Sequence, residues 1–320
     1  MAMQKLLVAS AVAALGASMA GSAHADALAQ AVLNVTNFQF SSGGTALDKS
    51  AFSLLTITDS TNLSAKLNNV ADNTPYSSSS IGGAGFATQT LCAPGGSCPS
   101  PFVNQPVGAS GNSATTGSFL NGVPITGLPP YALGANATTA GFSQVIGSNQ
   151  GNTQSGLTLN STIIFSLAGA PAAPITLTFA ASQILKAWAG PAFGNGTAGN
   201  SLSFNLNHVD SVTGNTVTDF SWAPTAGTDG ITGGTAVASG CNINANAARG
   251  YPPGGTDNKS CSGNFSATMS GLLTAGVVYT LGITQQSITN VTSIPEPSSV
   301  MLAGLALAGL GFAGLRRRKS

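Results

Sequence analysis

Ile175-Thr176-Leu177-Thr178-Phe179 (ITLTF) sets apolar side chains at every second position, with hydroxyls between them. A period of two puts Ile175, Leu177 and Phe179 on one face and Thr176 and Thr178 on the other, the mark of a half-buried β-strand. Working outward, Val277, Tyr279, Leu281 and Ile283 alternate with Val278, Thr280 and Gly282, and Leu202, Phe204 and Leu206 alternate with Ser203, Asn205 and Asn207. The same pattern predicts strands over Leu33 to Phe40, Phe52 to Thr58, Leu157 to Leu167, Val217 to Trp222 and Phe265 to Met269. Gly214-Asn215, between Val212 and Thr216, reads as a hairpin turn. Ile184, Leu185 and Trp188 fit one short helix. Seven or eight short strands with polar turns predict a mainly β protein, an antiparallel β-sandwich of jelly-roll or Ig-like kind. No fixed repeat period supports a β-solenoid.

Only 6% of the 320 residues are charged, against about 25% in an ordinary soluble domain. A net charge of +1 provides no field to neutralise phosphates, which argues against nucleic acid as a partner. Lys5 and the block Arg316, Arg317, Arg318 and Lys319 hold half of the basic residues, so residues 26–293 carry five basic residues against eight aspartates. That body is long enough for one large β domain or two smaller ones, with a loop-rich stretch at 75–156 where some strand is hidden among small side chains. Gly 41 and Pro 16 point the same way, to turns rather than long helices.

The two ends read as addresses. Lys5 precedes LLVASAVAALGASMA, and Ala23-His24-Ala25 follows with small residues at the positions that define cleavage; residues 1–25 are expected to be a secretory signal peptide cut after Ala25, implying the Sec translocon and signal peptidase as partners. At the other end Val300 to Leu315 is an uncharged apolar run bounded by the basic block. As a transmembrane helix it reaches about 24 Å against a bilayer core of about 30 Å, and the cations orient it with the body outside the cytoplasm.

Pro295-Glu296-Pro297 stands just before that run. Both prolines lack an amide hydrogen and hold the chain extended, a shape an enzyme can clasp, with Glu296 as its charged handle. PEP, apolar helix and terminal arginines together resemble a PEP-CTERM sorting signal over residues 294–320. The resemblance implies recognition by exosortase, a membrane-embedded transpeptidase-like enzyme of Gram-negative bacteria that make exopolysaccharide. It also implies passage from a transient inner-membrane anchor, with the body in the periplasm, to the cell surface or beyond.

Export implies an oxidising compartment, so Cys92, Cys98, Cys241 and Cys261 are expected as disulfides, with three pairings open and Cys92–Cys98 and Cys241–Cys261 favoured by nearness in sequence. Their spacing does not suit zinc, and no metal or cofactor is expected.

Groups for catalysis are scarce. Glu296 is the sole glutamate, and His208 the sole histidine of the body. His208 extends the parity of Leu202, Phe204 and Leu206 and reads as a half-buried strand-end residue next to Asp210, not as a general base. G-x-G-x-x-G occurs at Gly194, Gly196 and Gly199, ahead of a strand where a dinucleotide site needs a helix, and again at Gly309, Gly311 and Gly314 in the tail. N-x-[ST] triplets at Asn34, Asn62, Asn136, Asn160, Asn195, Asn258, Asn264 and Asn290 are expected from composition.

These readings predict a non-enzymatic surface or matrix protein associated with exopolysaccharide or biofilm, through a low-charge face of hydroxyls and amides. The alternative is a secreted carbohydrate- or ligand-binding module, which needs exposed aromatics such as Trp188 and Trp222. A hydrolase built on Asp210 and His208 is a distant third.

Overall fold

The computed structural model describes residues 27–67, 70–79, 89–93, 112–121, 124–127, 133–145, 151–190, 194–225, 230–237, 239–250 and 254–293. Along the chain the strands are β1 (Ala27–Ser42), β2 (Thr45–Ala46), β3 (Phe52–Leu67), β4 (Val70–Ser79), β5 (Gln89–Ala93), β6 (Asn112–Asn121), β7 (Ala135–Val145) and β8 (Gly151–Leu167). They continue as β9 (Ile175–Ala189), β10 (Gly194–Val209), β11 (Thr216–Trp222), β12 (Ile231–Thr232), β13 (Gly234–Val237), β14 (Ala245–Gly250), β15 (Gly255–Met269) and β16 (Val278–Ser293). A single 3-10 turn, Lys49–Ala51, is the one helical element among the described residues.

The strands form two antiparallel sheets packed face to face. Sheet I runs β13-β15-β9-β1-β7-β6-β5, with β2 on β1; sheet II runs β12-β11-β10-β16-β8-β3-β4, with β14 on β10. The expected sandwich is therefore present, but each layer holds eight strands, as many as an entire jelly roll. The first strand lies at the centre of sheet I and the last at the centre of sheet II. The stretch at 75–156 holds the end of β4, all of β5, β6 and β7 and the start of β8, and β7 pairs along most of β1.

Ile184, Leu185 and Trp188 are not helical. They lie in β9, where Ile175, Leu177, Phe179, Ala181, Gln183, Leu185, Ala187 and Ala189 are all buried in strict alternation, while Ile184 is half exposed. Alanines and a glutamine on the inward face hide the period of two from a hydropathy reading. Other strands outrun their expected limits: β10 begins at Gly194 and not at Leu202, its inward positions there being small, and β15 begins at Gly255 and not at Phe265, over a stretch with no buried face. In β1 the parity breaks at Thr36-Asn37, a bulge against both neighbours where Asn37 takes φ 56° and its N–H donates to Asn136 Oδ1 (3.1 Å), so that Val35 and Phe38 both face inward.

Between the sheets the filling changes along the strands. One half is aromatic: Phe179 stacks on Phe265 (5.0 Å between ring centres), Phe204 on Trp222 (5.4 Å), and Phe38 and Phe179 both pack on Phe204 (5.7 and 5.4 Å). The other half is small and polar. Ala27, Ala29, Ala31, Ala187, Ala198 and Val291 are buried there with Thr139, Ser143, Asn200, Ser287 and Thr289. The backbones come so close that a Cβ on Gly196 of β10 would stand 2.6 Å from Leu28 O of β1.

Hydroxyls and amides cross the gap. Thr139 and Ser287 hydroxyls are 2.8 Å apart, as are those of Ser143 and Thr289. Gln285 Nε2 donates to Leu33 O (2.8 Å) and Thr139 Oγ1 (3.1 Å), Asn200 Nδ2 donates to Val32 O (2.8 Å), and Ser287 Oγ donates to Asn200 Oδ1 (2.7 Å). These bonds satisfy polar groups whose burial is otherwise costly. Ala27 and Ser293 both lie at this end, since Ala27 pairs with Ala189, Ser293 pairs with Gly194, and only a short connection joins those two partners.

Candidate functional site

Cys241 and Cys261 are bonded, with Cα atoms 5.5 Å apart. The bridge ties the segment before β14, in sheet II, to β15 in sheet I. Asn244, in that same segment, serves as a substitute strand: its Oδ1 accepts from Leu202 N (2.8 Å) and its Nδ2 donates to Leu202 O (3.2 Å), at the point where β10 exchanges β14 for β11 as its neighbour. Cys92 stands in β5 opposite Ala114. Cys98, its expected partner, lies outside the described residues. So do Ala23, Ala25, Pro295, Glu296, Pro297, Arg316, Arg317, Arg318, Lys319, the apolar run 300–315 and the tail glycines.

His208 is at the end of the inward face of β10, as its parity predicts, but its partner is Asp219 and not Asp210. Its Nδ1 lies 2.7 Å from Asp219 Oδ2, beside the ring of Tyr279. A bulge makes the exchange: Leu206 pairs with Phe220 and Asn207 with Thr218, so Asp219 is the extra residue that turns toward the histidine. Asp210 closes the β10–β11 hairpin instead, accepting from Val212 N and Thr213 N, and these bonds, the Thr213 one first, hold its carboxyl below the usual range. The turn spans Asp210 to Asn215 and includes Gly214 at φ 69°. His208 lines a hollow of about 570 Å³ together with Ser211, Thr216 and Thr280.

Asp59 is the one buried carboxylate among the described residues. It points into the sandwich from β3, is 3% exposed, and accepts from the Ser161 hydroxyl. Burial pushes its pKa up to about 6, against the opposing pull of that hydrogen bond. Among the described residues no three of His, Cys, Asp and Glu gather closely enough to hold a metal ion, and no helix is long and apolar enough to cross a membrane.

The glycines at 194, 196 and 199 all lie in β10, and Gly196 is required by the close approach of β1. All eight N-x-[ST] triplets lie within strands. In seven the middle residue is buried (Val35, Leu63, Ala137, Ser161, Gly196, Phe265 and Val291), so each triplet is the outward Asn and Ser or Thr flanking one inward position. The outward amides are the surface of the sandwich. Trp222 is buried in the aromatic core, and Trp188 is half-buried on the outer face of β9.

That outer surface is most regular on sheet II. Across β3, β8, β16 and β10 the register aligns Thr58-Thr162-Gly282-Asn205, then Ser60-Asn160-Thr284-Ser203, then Asn62-Thr158-Gln286-Ser201. Thr284 Oγ1 donates to Asn160 Oδ1 (3.0 Å), and Gln286 Nε2 donates to Thr158 Oγ1 (3.0 Å). No Lys, Arg, Asp or Glu occurs in β8, β10 or β16; β3 adds inward Asp59 and, near its end, Lys66. Adjoining these rows, Asn62, Ser64, Gln154, Gly156, Thr158, Gln286 and Ile288 line a trough of about 370 Å³.

No curated protein and no solved structure matches this chain. Its tail does match a family: residues 293–319, beginning at the final residue of β16, carry the PEP-CTERM protein-sorting motif.

Proposed function

We propose that the chain is an exported, non-enzymatic surface or matrix protein, delivered through its tail by exosortase and held in contact with exopolysaccharide by the outer faces of its sandwich. The observation that carries the reading is the sorting motif at 293–319, which begins at the final residue of the last strand and so follows the sandwich in sequence. The leader at 1–25 and its processing by signal peptidase complete the route. In this reading the His208–Asp219 pair and the enclosed Asp59 are structural groups of the sandwich.

A polar, uncharged face suits many weak hydrogen bonds to sugar hydroxyls, with little dependence on salt. A carbohydrate-binding module of the aromatic-platform kind is the less favoured reading, because Trp222 and Tyr279 are core residues. Intact mass tests the delivery. Protein from wild-type cells is expected to lack residues 1–25 and the tail, and protein from cells without exosortase to keep the tail. Identical masses from both strains would remove exosortase from the account. Retention in washed extracellular polymer, lost in cells that make none, tests the matrix role.

A further inference from the structure

We propose that the end of the sandwich carrying Ala27 and Ser293 is a docking surface for an anionic lipid bilayer, which holds the body against the membrane while the tail is anchored. This rests on the membrane-anchored sorting read from residues 293–319. The tail decides which end is concerned. Seven residue steps lead from Ser293 to Val300, where the apolar run starts, so the last residue of β16 stands within about 25 Å of the bilayer once that run is inserted. The opposite end, where β16 begins, is about 50 Å further away.

The charges sort along the same axis. Arg249 pairs with Gly196, which faces Val291, two residues from Ser293. Lys66 pairs with Gln154, which faces Asn290, three residues from it. In sheet I, Lys186 is three residues from Ala189, the partner of Ala27, and Lys259 faces Leu185, four residues from it. These are four of the five basic residues of the body. At about 3.4 Å per residue they lie about 7–14 Å from the end, a distance comparable with the screening length of about 8–10 Å. The acids placed among them are Asp72, opposite Ala65, and Asp257, opposite Ala187. Lys259 Nζ is 3.9 Å from Asp257 Oδ2, yet its side chain is 49% exposed. Asp26 precedes Ala27, and the α-amino group freed by a cut after Ala25 offsets its charge. Toward the other end the sign reverses among the described residues: Asp48, Asp210 and Asp219 stand there against Lys49 alone. The body is thus polarised, with its positive end where the tail leaves.

Apolar groups stand beside these cations. The outward residues of β9 nearest the end are Trp188, Lys186 and Ile184 in that order, and Leu28 of β1 is the ladder partner of Trp188. Ile184 is 50% exposed and Trp188 half-buried. An indole and two aliphatic side chains interleaved with a lysine suit the bilayer interface, where rings lie at headgroup level and ammonium groups meet phosphate. Contact through this strip turns the outer face of sheet I toward the lipid and leaves the hydroxyl and amide rows of sheet II facing away from it.

The test uses the full chain from cells without exosortase, reconstituted in vesicles of phosphatidylcholine alone or mixed with phosphatidylglycerol, with acyl chains brominated next to the headgroup. Quenching of Trp188 emission by the bromines reads its distance from the interface. In the anionic vesicles strong quenching is expected at about 50 mM salt, falling at least about threefold at about 500 mM, where screening is much shorter. In neutral vesicles it is expected to stay at the high-salt level. Trp188→Phe should abolish it, since Trp222 is enclosed in the aromatic core. Lys186→Glu and Lys66→Glu are each expected to lower quenching by about half or more, and Lys49→Glu, at the other end, to leave it unchanged. Melting temperatures identify any variant that fails to fold, and Lys186→Gln, which removes the charge alone, decides in that case. Equal quenching in neutral and anionic vesicles, quenching in neither, or equal loss in Lys49→Glu would each overturn the proposal. So would a Trp188 response to polygalacturonate in neutral vesicles with none to phosphatidylglycerol, which would assign the cations to an acidic polymer. Flotation separates this proposal from the reading beneath it. Chain that floats with anionic vesicles but is not quenched sinks the docking surface and leaves the anchored tail standing; chain that does not float removes the anchor, and the docking with it.

Discussion

The two halves of the sandwich interior solve one problem with different materials. Near the β10–β11 hairpin, rings fill the space, and Phe204 alone touches Phe38, Phe179 and Trp222. Near Ala27 and Ser293 the sheets stand too close for rings, and alanine, glycine and paired hydroxyls take their place. The aromatic half gains its stability from apolar area removed from water. The hydroxyl half buries less carbon per residue, and its hydrogen bonds add little net energy while being costly to leave unmade. Large side chains hold the sheets together in one half; fit and pairing set how they meet in the other.

The largest expected effect is in the rings. Phe204→Ala should lower unfolding free energy by about 3–5 kcal/mol, measured by denaturant titration, because a cavity opens between the sheets. Loss of the bridge in a Cys241→Ser/Cys261→Ser double variant should cost about 3 kcal/mol, given its 20-residue separation. An unchanged midpoint would mean that Asn244 and its neighbours already hold the sheets together there.

Asp59 lies at the seam of the two halves, and it gives the comparison a pH dependence. Its folded pKa of about 6 is above the ordinary 3.8, so between pH 4 and 6 the native state holds a proton that the unfolded chain has released. Stability is then highest below pH 4 as far as this group is concerned, falls as pH rises to about 6, and stays lower above it. Asp59→Asn should remove that slope and raise stability at pH 7.5 by no more than about 3 kcal/mol. An equal gain at pH 4 and pH 7.5 would contradict the burial argument.

In the hydroxyl half, Asn200→Ala removes the donor to Val32 O and one of the acceptors of Ser287, which keeps its bonds to Thr139, and should cost about 1–2 kcal/mol. The smallest effect is expected at the outer surface. Gly156→Ala should change stability by less than about 1 kcal/mol, since its methyl group meets only the Ser64 hydroxyl, at 3.1 Å, while Gly196→Ala should destabilise by more, because it meets β1 backbone at 2.6 Å. Equal behaviour of these two variants would erase the distinction between glycines that packing requires and glycines that it does not.

The same division governs what could be read in the amino-acid sequence. Where large apolar and polar residues alternate, as in ITLTF or Leu202 to Leu206, strand and inward face were both legible. Where both faces are small, alternation loses its contrast: Ala187 and Ala189 point inward with no more hydropathy signal than the alanine at 180 pointing outward. Hence the misread helix at Ile184, Leu185 and Trp188; the first half of β15 went unread because Gly255 to Asn264 buries no face and so has no apolar period. Sequence nearness was enough for the Cys241–Cys261 pair, and three ordered parts were enough for the tail. Asp219 was out of reach, since a single-residue bulge decides which aspartate meets His208. The trough was too, because Gly156, Gln286 and Ile288 meet only through pairing between distant strands.

The placement of β1 and β16 has a consequence for when this chain can fold. The N-terminal strand waits for β9, more than a hundred residues later, and sheet II has no middle until β16 arrives. Such long-range pairing makes folding slow and leaves incomplete chains without a closed layer. A polypeptide arranged in this order stays threadable until nearly its last residue has emerged, which is the condition a translocation pore requires of its passengers.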